Sequence, residues 1–315
     1  MSTPRKAIGI DFGGTSIKSA VVQSGSILER GEPVDPQQFP ESRTLVAAIV
    51  EIIGALRAVH PEVAAIGVGL PGFVDSQHGV VHNLTNVSGW SEVPLHDQLT
   101  ARTGLPAIVE NDAKAMAYGE YKHGAARGFR HVICVTLGTG VGGALILEGK
   151  LYRGAQLAAG ELGHTSIDYR GKVGPYGDRG GLEEYVGNQQ IAERAREMYL
   201  KAGRKITAAQ CQPLDLAKAA ARGDAIALSL WDTIGTEIGC ALTNAVWLLN
   251  PDAIVIGGGV ANAGELILAP IRRTIRARTL PLVHQHLQIL PATLGNDAGI
   301  IGNAELALEA VGTIG

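Results

Sequence analysis

The stretches Asp11-Phe12-Gly13-Gly14-Thr15 and Leu137-Gly138-Thr139-Gly140-Val141-Gly142-Gly143 are glycine turns, each set between apolar runs. Glycine supplies φ > 0 and lacks a Cβ, so successive backbone N–H groups can point at one set of anion oxygens. Each stretch has the form of a hairpin tip. Either alone reads as an ordinary strand-turn-strand hairpin of an α/β protein. Together they read as two jaws for a polyphosphate, and a nucleotide is the expected ligand.

Working outward, Ile8-Gly-Ile10 and Ile17-Lys-Ser-Ala-Val-Val22 flank the first turn, as Val132-Ile-Cys-Val135 and Ala144-Leu-Ile-Leu147 flank the second. Both units then reach another short turn: Gln23-Ser-Gly-Ser26 before Ile27-Leu28, and Glu148-Gly149-Lys150 before Leu151-Tyr152. Two β-meanders therefore recur half a chain apart, which predicts an internal duplication. At equivalent spacing the first copy carries Asp11 where the second carries the hydroxyl of Thr136.

With 315 residues, the chain has room for two domains that each bury a core. The composition, 46% hydrophobic and 18% charged, is that of a soluble globular protein. A formal net charge of −3 leaves no clustered basic excess, which argues against nucleic acid or an anionic membrane as partner. Met1-Ser-Thr-Pro-Arg-Lys6 leads into the first strand without an apolar segment of signal-peptide form, and no apolar run reaches bilayer-spanning length, so a cytoplasmic location is expected. Cys134, Cys211 and Cys240 are odd in number and far apart, and are expected as packed thiols.

Ser42 to Val59 has helical apolar spacing at Leu45, Ile49, Ile52, Ile53 and Leu56, and Pro61 stops it before the strand-like Ala64-Ala-Ile-Gly-Val-Gly69. A helix from Pro94 to Thr103 and a strand at Ala107-Ile-Val109 then deliver Glu110-Asn111-Asp112. Asp112 thus lies at a strand's carboxyl end, opening the next helix, where it could serve as N-cap. Residues Leu151 to Gly187 are glycine-rich with few regular signals, long enough for a functional surface. Helical spacing follows over Asn188 to Leu200, Leu214 to Arg222 and Ala225 to Leu249, closed by Asn250-Pro251. Ala253-Ile-Val-Ile256 reads as a buried strand and Gly257-Gly258-Gly259-Val260 as a turn into a helix over Leu266 to Arg278. A strand near Leu287 to Leu290 and a helix from Asp297 to Ala310 end the pattern.

Taken in order, Asp11-Phe-Gly-Gly-Thr-Ser-Ile-Lys18, Leu70-Pro-Gly72, Glu110-Asn-Asp-Ala113, Leu137 to Gly143, Gly160-Glu-Leu-Gly-His164, Gly180-Gly-Leu-Glu183 and Ile256-Gly-Gly-Gly-Val260 resemble the sugar kinases of the ROK family, within the actin and hexokinase superfamily. The resemblance spans nearly the whole chain. It implies two ribonuclease-H-like α/β domains, with ATP in the cleft between them and a hexose deeper in it. The implied division is a small domain over 1–112, completed by the C-terminal helix 298–315, and a large domain over 113–297.

The resemblance also implies roles. Asp112 is the base that accepts the proton of the sugar 6-hydroxyl. Asp11 lies near Mg²⁺, reached through water. Gly13, Gly14 and Thr15 of the first turn and Gly138, Thr139, Gly140 and Gly142 of the second hold phosphates. Gly257, Gly258 and Gly259 pass the adenosine, or form a plain strand-to-helix turn. Lys18 is either a phosphate contact or a solvated strand lysine. Asn111, Asp112, Glu161, His164 and Glu183 match the family's hexose contacts, and Asn86 approaches the same pocket from its polar loop.

One departure stands out. Family members with a Cys-x-Cys-Gly-x-x-Gly-Cys stretch bind structural zinc with the preceding histidine, whereas Gly174, Tyr176 and Gly181 occupy the thiolate positions here. No zinc is expected without those ligands, and hydrogen bonds and packing are expected to hold the loop. The expected activity is a hexokinase or glucokinase reaction. Rival substrates are fructose, mannose, allose, N-acetylglucosamine and N-acetylmannosamine, with polyphosphate as a rival donor. A sugar-responsive repressor has little room, since only ten residues precede Asp11; a non-catalytic sugar sensor is the remaining alternative. Family members commonly form homodimers, and the same is expected here.

Overall fold

A computed structural model describes residues 5–13, 16–39, 41–84 and 90–312, and the chain divides into two compact units. The first comprises Met1–Gly128, Arg153–Ala159 and Thr293–Gly315; the second comprises Phe129–Tyr152 and Gly160–Ala292.

In the first unit, β1 (Lys6–Phe12), β2 (Ile17–Gln23) and β3 (Ser26–Arg30) form an antiparallel meander. Helix α1 (Ser42–Val59) then returns the chain to β4 (Val63–Leu70), parallel to β1. The short strands β5 (Val74–Asp75), β6 (Val80–Asn83) and β7 (Ser91–Pro94) make a small separate sheet. Helix α2 (Leu95–Thr103) leads to β8 (Ala107–Asn111), parallel to β4, and α3 (Asp112–His123) follows. The sheet order is β3-β2-β1-β4-β8.

The two faces of this sheet differ in the way period-2 alternation requires. Ile8, Ile10 and Phe12 of β1 pack with Leu45, Val46, Ile49 and Ile53 of α1. The alternate residue Ala7 packs with Ile300, Ile301 and Ala304 of the last helix, Ala298–Gly312. That helix comes so close that a Cβ at Gly9 would overlap the Ile300 carbonyl and one at Gly67 the Asn303 carbonyl. Asn303, fully buried, donates to the Ile10 carbonyl at 2.8 Å.

The second unit repeats the plan. Strands β9 (Val132–Leu137), β10 (Val141–Leu147) and β11 (Lys150–Tyr152) form an antiparallel meander. The helices α4 (Glu183–Val186), α5 (Asn188–Lys201), α6 (Pro213–Ala221) and α7 (Ala225–Leu249) precede β12 (Ala253–Gly257), which lies parallel to β9. Helices α8 (Glu265–Arg278) and α9 (Pro281–His284) lead to β13 (Gln288–Pro291), parallel to β12, and the last helix is then α10. The order β11-β10-β9-β12-β13 matches the first sheet strand for strand.

The expected duplication is therefore present down to the turns. Ser24 and Gly25 (φ 50° and 77°) and Glu148 and Gly149 (φ 53° and 74°) are both left-handed pairs, the conformation of a two-residue type I′ hairpin. Phe12 pairs with Ile17 at the first tip and Leu137 with Val141 at the second, which sets Asp11 equivalent to Thr136 and Lys18 to Gly142. The two-unit, ribonuclease-H-like α/β fold expected from the sequence is what the chain adopts.

Two features differ from expectation. Helix α3 packs with the first unit rather than the second, because Gly119 and Gly302 let α3 and α10 meet backbone to backbone. The short segment Arg153–Ala159 also belongs to the first unit. Helix α7 is long and apolar enough to cross a membrane by length and composition, but Leu230, Trp231, Ile234, Ile238 and Leu242 sit in the core of the second unit, which accounts for its apolarity. Cys134 and Cys211 are buried and Cys240 half-buried, all as free thiols.

Candidate active site

In the first unit, β8 ends in Glu110 and Asn111, and Asp112 begins α3. Glu110 is 2% exposed, and burying a carboxylate demands partners. It accepts from the Asn111 backbone N–H at 2.9 Å and from Arg153 Nε at 2.7 Å. This pair fixes the strand end that presents the next two side chains.

Asn111 Oδ1 accepts the Lys114 N–H at 3.2 Å, so Asn111 is the N-cap of α3. The cap suggested for Asp112 thus falls one residue earlier, because Asn111 is the last residue with extended backbone. Asp112 sits at the first helical position, its Oδ1 accepting the Ala113 N–H at 2.8 Å.

Asp11 stands near the end of β1, on the face toward α10, where a Cβ at Gly299 would lie 3.0 Å from its carboxyl carbon. Burial, and then the charge of Asp112, push its pKa from 3.8 up to about 6, with Lys18 pulling the other way. Two carboxylates close enough for one to raise the other, after burial, make Asp11 and Asp112 candidates for a functional site, since charge is held there at a cost. Lys18 lies directly across the β1–β2 pair from Asp11, with its side chain exposed. Gly13 donates its N–H to the Ser16 carbonyl at 3.0 Å. Gly14, Thr15 and Asn86 lie outside the described residues.

In the second unit, Gly138, Thr139 and Gly140 form the tip between β9 and β10. Gly138 N–H donates to the Gly140 carbonyl at 2.9 Å, and the Gly138 carbonyl accepts from Asn188 N–H at 2.9 Å. Glu183, first residue of α4, accepts the Val141 N–H through Oε2 at 2.8 Å. A Cβ at Gly258 (φ 86°) would strike the Leu137 backbone, so the glycine run after β12 abuts the same tip. Gly257 ends β12, Gly259 faces open space, and Gly142 pairs with Thr136 on the exit strand.

Glu161 precedes the single 3-10 turn Leu162–His164, which lies on β10: Gly163 leaves no room for a Cβ beside Val141, nor Gly143 beside Leu162. The His164 ring meets Tyr176 edge-on, with centroids 5.2 Å apart. The unit thus brings together Glu161, His164, Glu183, the Gly138–Gly140 tip and Gly258.

The loop from 165 to 182 is tied internally. Ile167 N–H donates to the Gly180 carbonyl at 2.8 Å, Gly180 N–H to Lys172 at 2.7 Å, Gly174 N–H to Asp178 at 2.8 Å and Leu182 N–H to Thr165 at 3.1 Å. The positions expected to carry thiolates in a zinc-binding loop hold Gly174, Tyr176 and Gly181, the His164 ring faces Tyr176, and among the described residues no group of three His, Cys, Asp or Glu side chains is placed to hold a metal ion. These residues do not fit zinc. Sequence reasoning missed Arg153, whose ion pair spans 43 residues with no periodic signal, and the bond from Glu183 to Val141.

Residues 7–310 match the ROK family. The chain is similar to the glucokinase of Halalkalibacterium halodurans, 36% identical over 318 residues, covering 96% of this chain and 94% of that one. It is also similar to the glucokinase of Streptomyces coelicolor, 35% identical, covering 96% and 97%. A solved ROK family glucokinase from Streptomyces griseus, in complex with glucose and AMPPNP, superposes with a TM-score of 0.81 at 34% identity, covering 96% of this chain and 99% of that one.

Proposed function

Because this chain belongs to the ROK family, we propose that it is a sugar kinase that transfers the γ-phosphoryl group of ATP to the 6-hydroxyl of a hexose, with glucose as the preferred acceptor. The likeness to glucokinases over almost the full length supports the reaction class and the choice of glucose. The observation that carries the reading is the place of Asp112: it begins α3 at the end of β8, next to a cap supplied by Asn111, and its charge is felt by Asp11.

In the proposed mechanism Asp112 accepts the 6-hydroxyl proton as that oxygen attacks the γ-phosphorus, and the bond to the ADP oxygen breaks in line. General-base help of this kind is worth roughly 10²–10⁴ in rate. Asn111, Glu161, His164, Glu183 and Asn86 bind the sugar hydroxyls, which need groups able to donate and accept in fixed directions. The N–H groups at Gly13, Gly14, Thr15 and along Gly138, Thr139, Gly140 and Gly142 hold phosphate oxygens, each bond to a charged group contributing about 1.5–3 kcal/mol. Gly257, Gly258 and Gly259 run beside the adenosine, and Lys18 balances charge at Asp11. The carboxylate oxygens of Asp11 would suit a magnesium ion brought with the nucleotide, which would supply neutralisation of phosphate charge. The protein works in the cytoplasm as a homodimer without zinc, on this reading.

The test is a coupled assay of ATP against hexoses and N-acetylhexosamines, run on the wild type and Asp112→Asn. Glucose is expected to give the highest kcat/KM, and the variant to retain hexose affinity while losing about 10²–10⁴ in turnover. Full turnover by the variant would remove Asp112 from the mechanism. A different best acceptor would move the specificity while leaving the reaction class.

A further inference from the structure

In this protein the second glycine tip is seated on the segment that begins at Glu183. Four observations define the seat. Glu183 Oε2 accepts the Val141 N–H at 2.8 Å, at the exit of the tip. A Cβ at Gly140 would overlap the Glu183 carboxylate, so the side chain lies flat against the tip itself. Asn188 N–H donates to the Gly138 carbonyl at 2.9 Å, at the entry of the tip. Between them, Gly187 lies against Thr139, where a Cβ would be 2.8 Å from the carbonyl oxygen. Both ends of the tip are thus held by residues 183 to 188, and the hold on its exit is a carboxylate.

A carboxylate is an anion. Taking the Val141 N–H, it occupies a donor that points out of the tip, and it places negative charge where phosphate oxygens would come. The same side chain is the one the proposed function gives to a hexose hydroxyl. We propose that Glu183 is a positioning residue that links the two substrates: its carboxylate holds the Val141 N–H in the sugar-free protein, and its move onto a hexose hydroxyl releases that donor to phosphate. Hexose then strengthens nucleotide binding through one side chain. The inference rests on the proposed kinase reading, and reciprocity follows, since a coupling free energy between two ligands acts equally on both.

The test is calorimetric titration of the Mg²⁺ complex of a non-hydrolysable ATP analogue into the full chain, with and without the hexose that turns over best. In the wild type, saturating hexose is expected to tighten the analogue within the usual range for coupled sites, about 5- to 150-fold. Glu183→Ala removes both charge and acceptor, and is expected to bind the analogue without sugar at least about 5-fold more tightly than wild type, with no further gain from hexose. Glu183→Gln keeps an acceptor for Val141 but no charge, and is expected to fall between them, which also guards against a loss caused by misfolding of the alanine variant. A residue that only touched sugar would leave the sugar-free affinity unchanged. Sugar-free affinities of both variants equal to or weaker than wild type would overturn the coupling while leaving the kinase reading intact. Failure of the wild type to bind the analogue under any condition would overturn both.

Discussion

Replacing Asp11 by asparagine tests whether the first unit stores charge at the expense of stability. Burial and the neighbouring charge of Asp112 raise the Asp11 pKa from 3.8 to about 6. At about 1.4 kcal/mol per pKa unit this gap is worth about 3 kcal/mol. The side chain is half-buried, and solvent screening reduces the figure to about 1–3 kcal/mol. The sign follows from linkage: between pH 3.8 and about 6 the folded protein binds the Asp11 proton more tightly than the unfolded chain, so stability falls as pH rises through that window. Below pH 3.8 both states are protonated and the cost vanishes; above about 6 it is fully present.

Asp11→Asn carries no such cost. Urea denaturation of wild type and variant from pH 4 to 8 is expected to give a variant advantage that is near zero at the acid end, grows toward pH 6 and then stays level at about 1–3 kcal/mol. Thermal scans are expected to show the same pattern, with about 2–4 °C per kcal/mol. The proposed function adds an opposite effect on activity, since the variant lacks the anionic oxygen assigned to the magnesium of the nucleotide. A variant that is less stable at pH 7, or more stable by the same amount at every pH, would refute the reasoning, because neither outcome can come from a proton that binds near pH 6.

Glu120→Ala is expected to destabilise the first unit by about 3 kcal/mol or more in urea denaturation: the fully buried carboxylate accepts from Ala125 N–H, Thr293 N–H, Thr293 Oγ1 and Leu294 N–H, and each donor left without a partner costs about 1–3 kcal/mol. Elemental analysis of purified protein is expected to find zinc well below one atom per chain, and chelator treatment to leave the melting temperature unchanged; stoichiometric zinc would refute the reading of the 165–182 loop.

Much of this architecture was legible because its signals are local. The two glycine turns, their apolar flanks and the short turns after them define meanders, and the uniformly apolar Ala253–Ile256 marks a strand covered on both faces. The helices α1, α5 and α7 fall within a residue or two of their periodic stretches. What was not legible depends on approach between distant segments. Ala7, Gly9, Ala65 and Gly67 alternate small residues along two neighbouring strands, which permits a helix to dock closely, but nothing in those strands names α10 as that helix. Likewise the motif around Glu110 gives no hint that Arg153 pairs with it, since an ion pair carries no period. Glu183 was legible as a polar group of the site, and its hold on Val141 was not, because a side-chain bond to a backbone amide leaves no trace in spacing.

The duplication gives these details a common logic. The two meanders share strand order and even the left-handed pairs of their outer turns, although the second tip is one residue shorter than the first, so the same plan of strands recurs in both units. The copies differ at the facing pair next to each tip. The first unit places Asp11 across from Lys18, two ionisable side chains, while the second places Thr136 across from Gly142, which has no side chain. Burial makes the first arrangement expensive, as the raised pKa of Asp11 shows. The second lets a neighbouring segment lie against the backbone: Gly160 fits against Gly143 and Glu183 against Gly140. One scaffold thus carries a pair of ionisable side chains near the tip in one copy and a bare stretch of main chain, packed against Gly160 and Glu183, in the other.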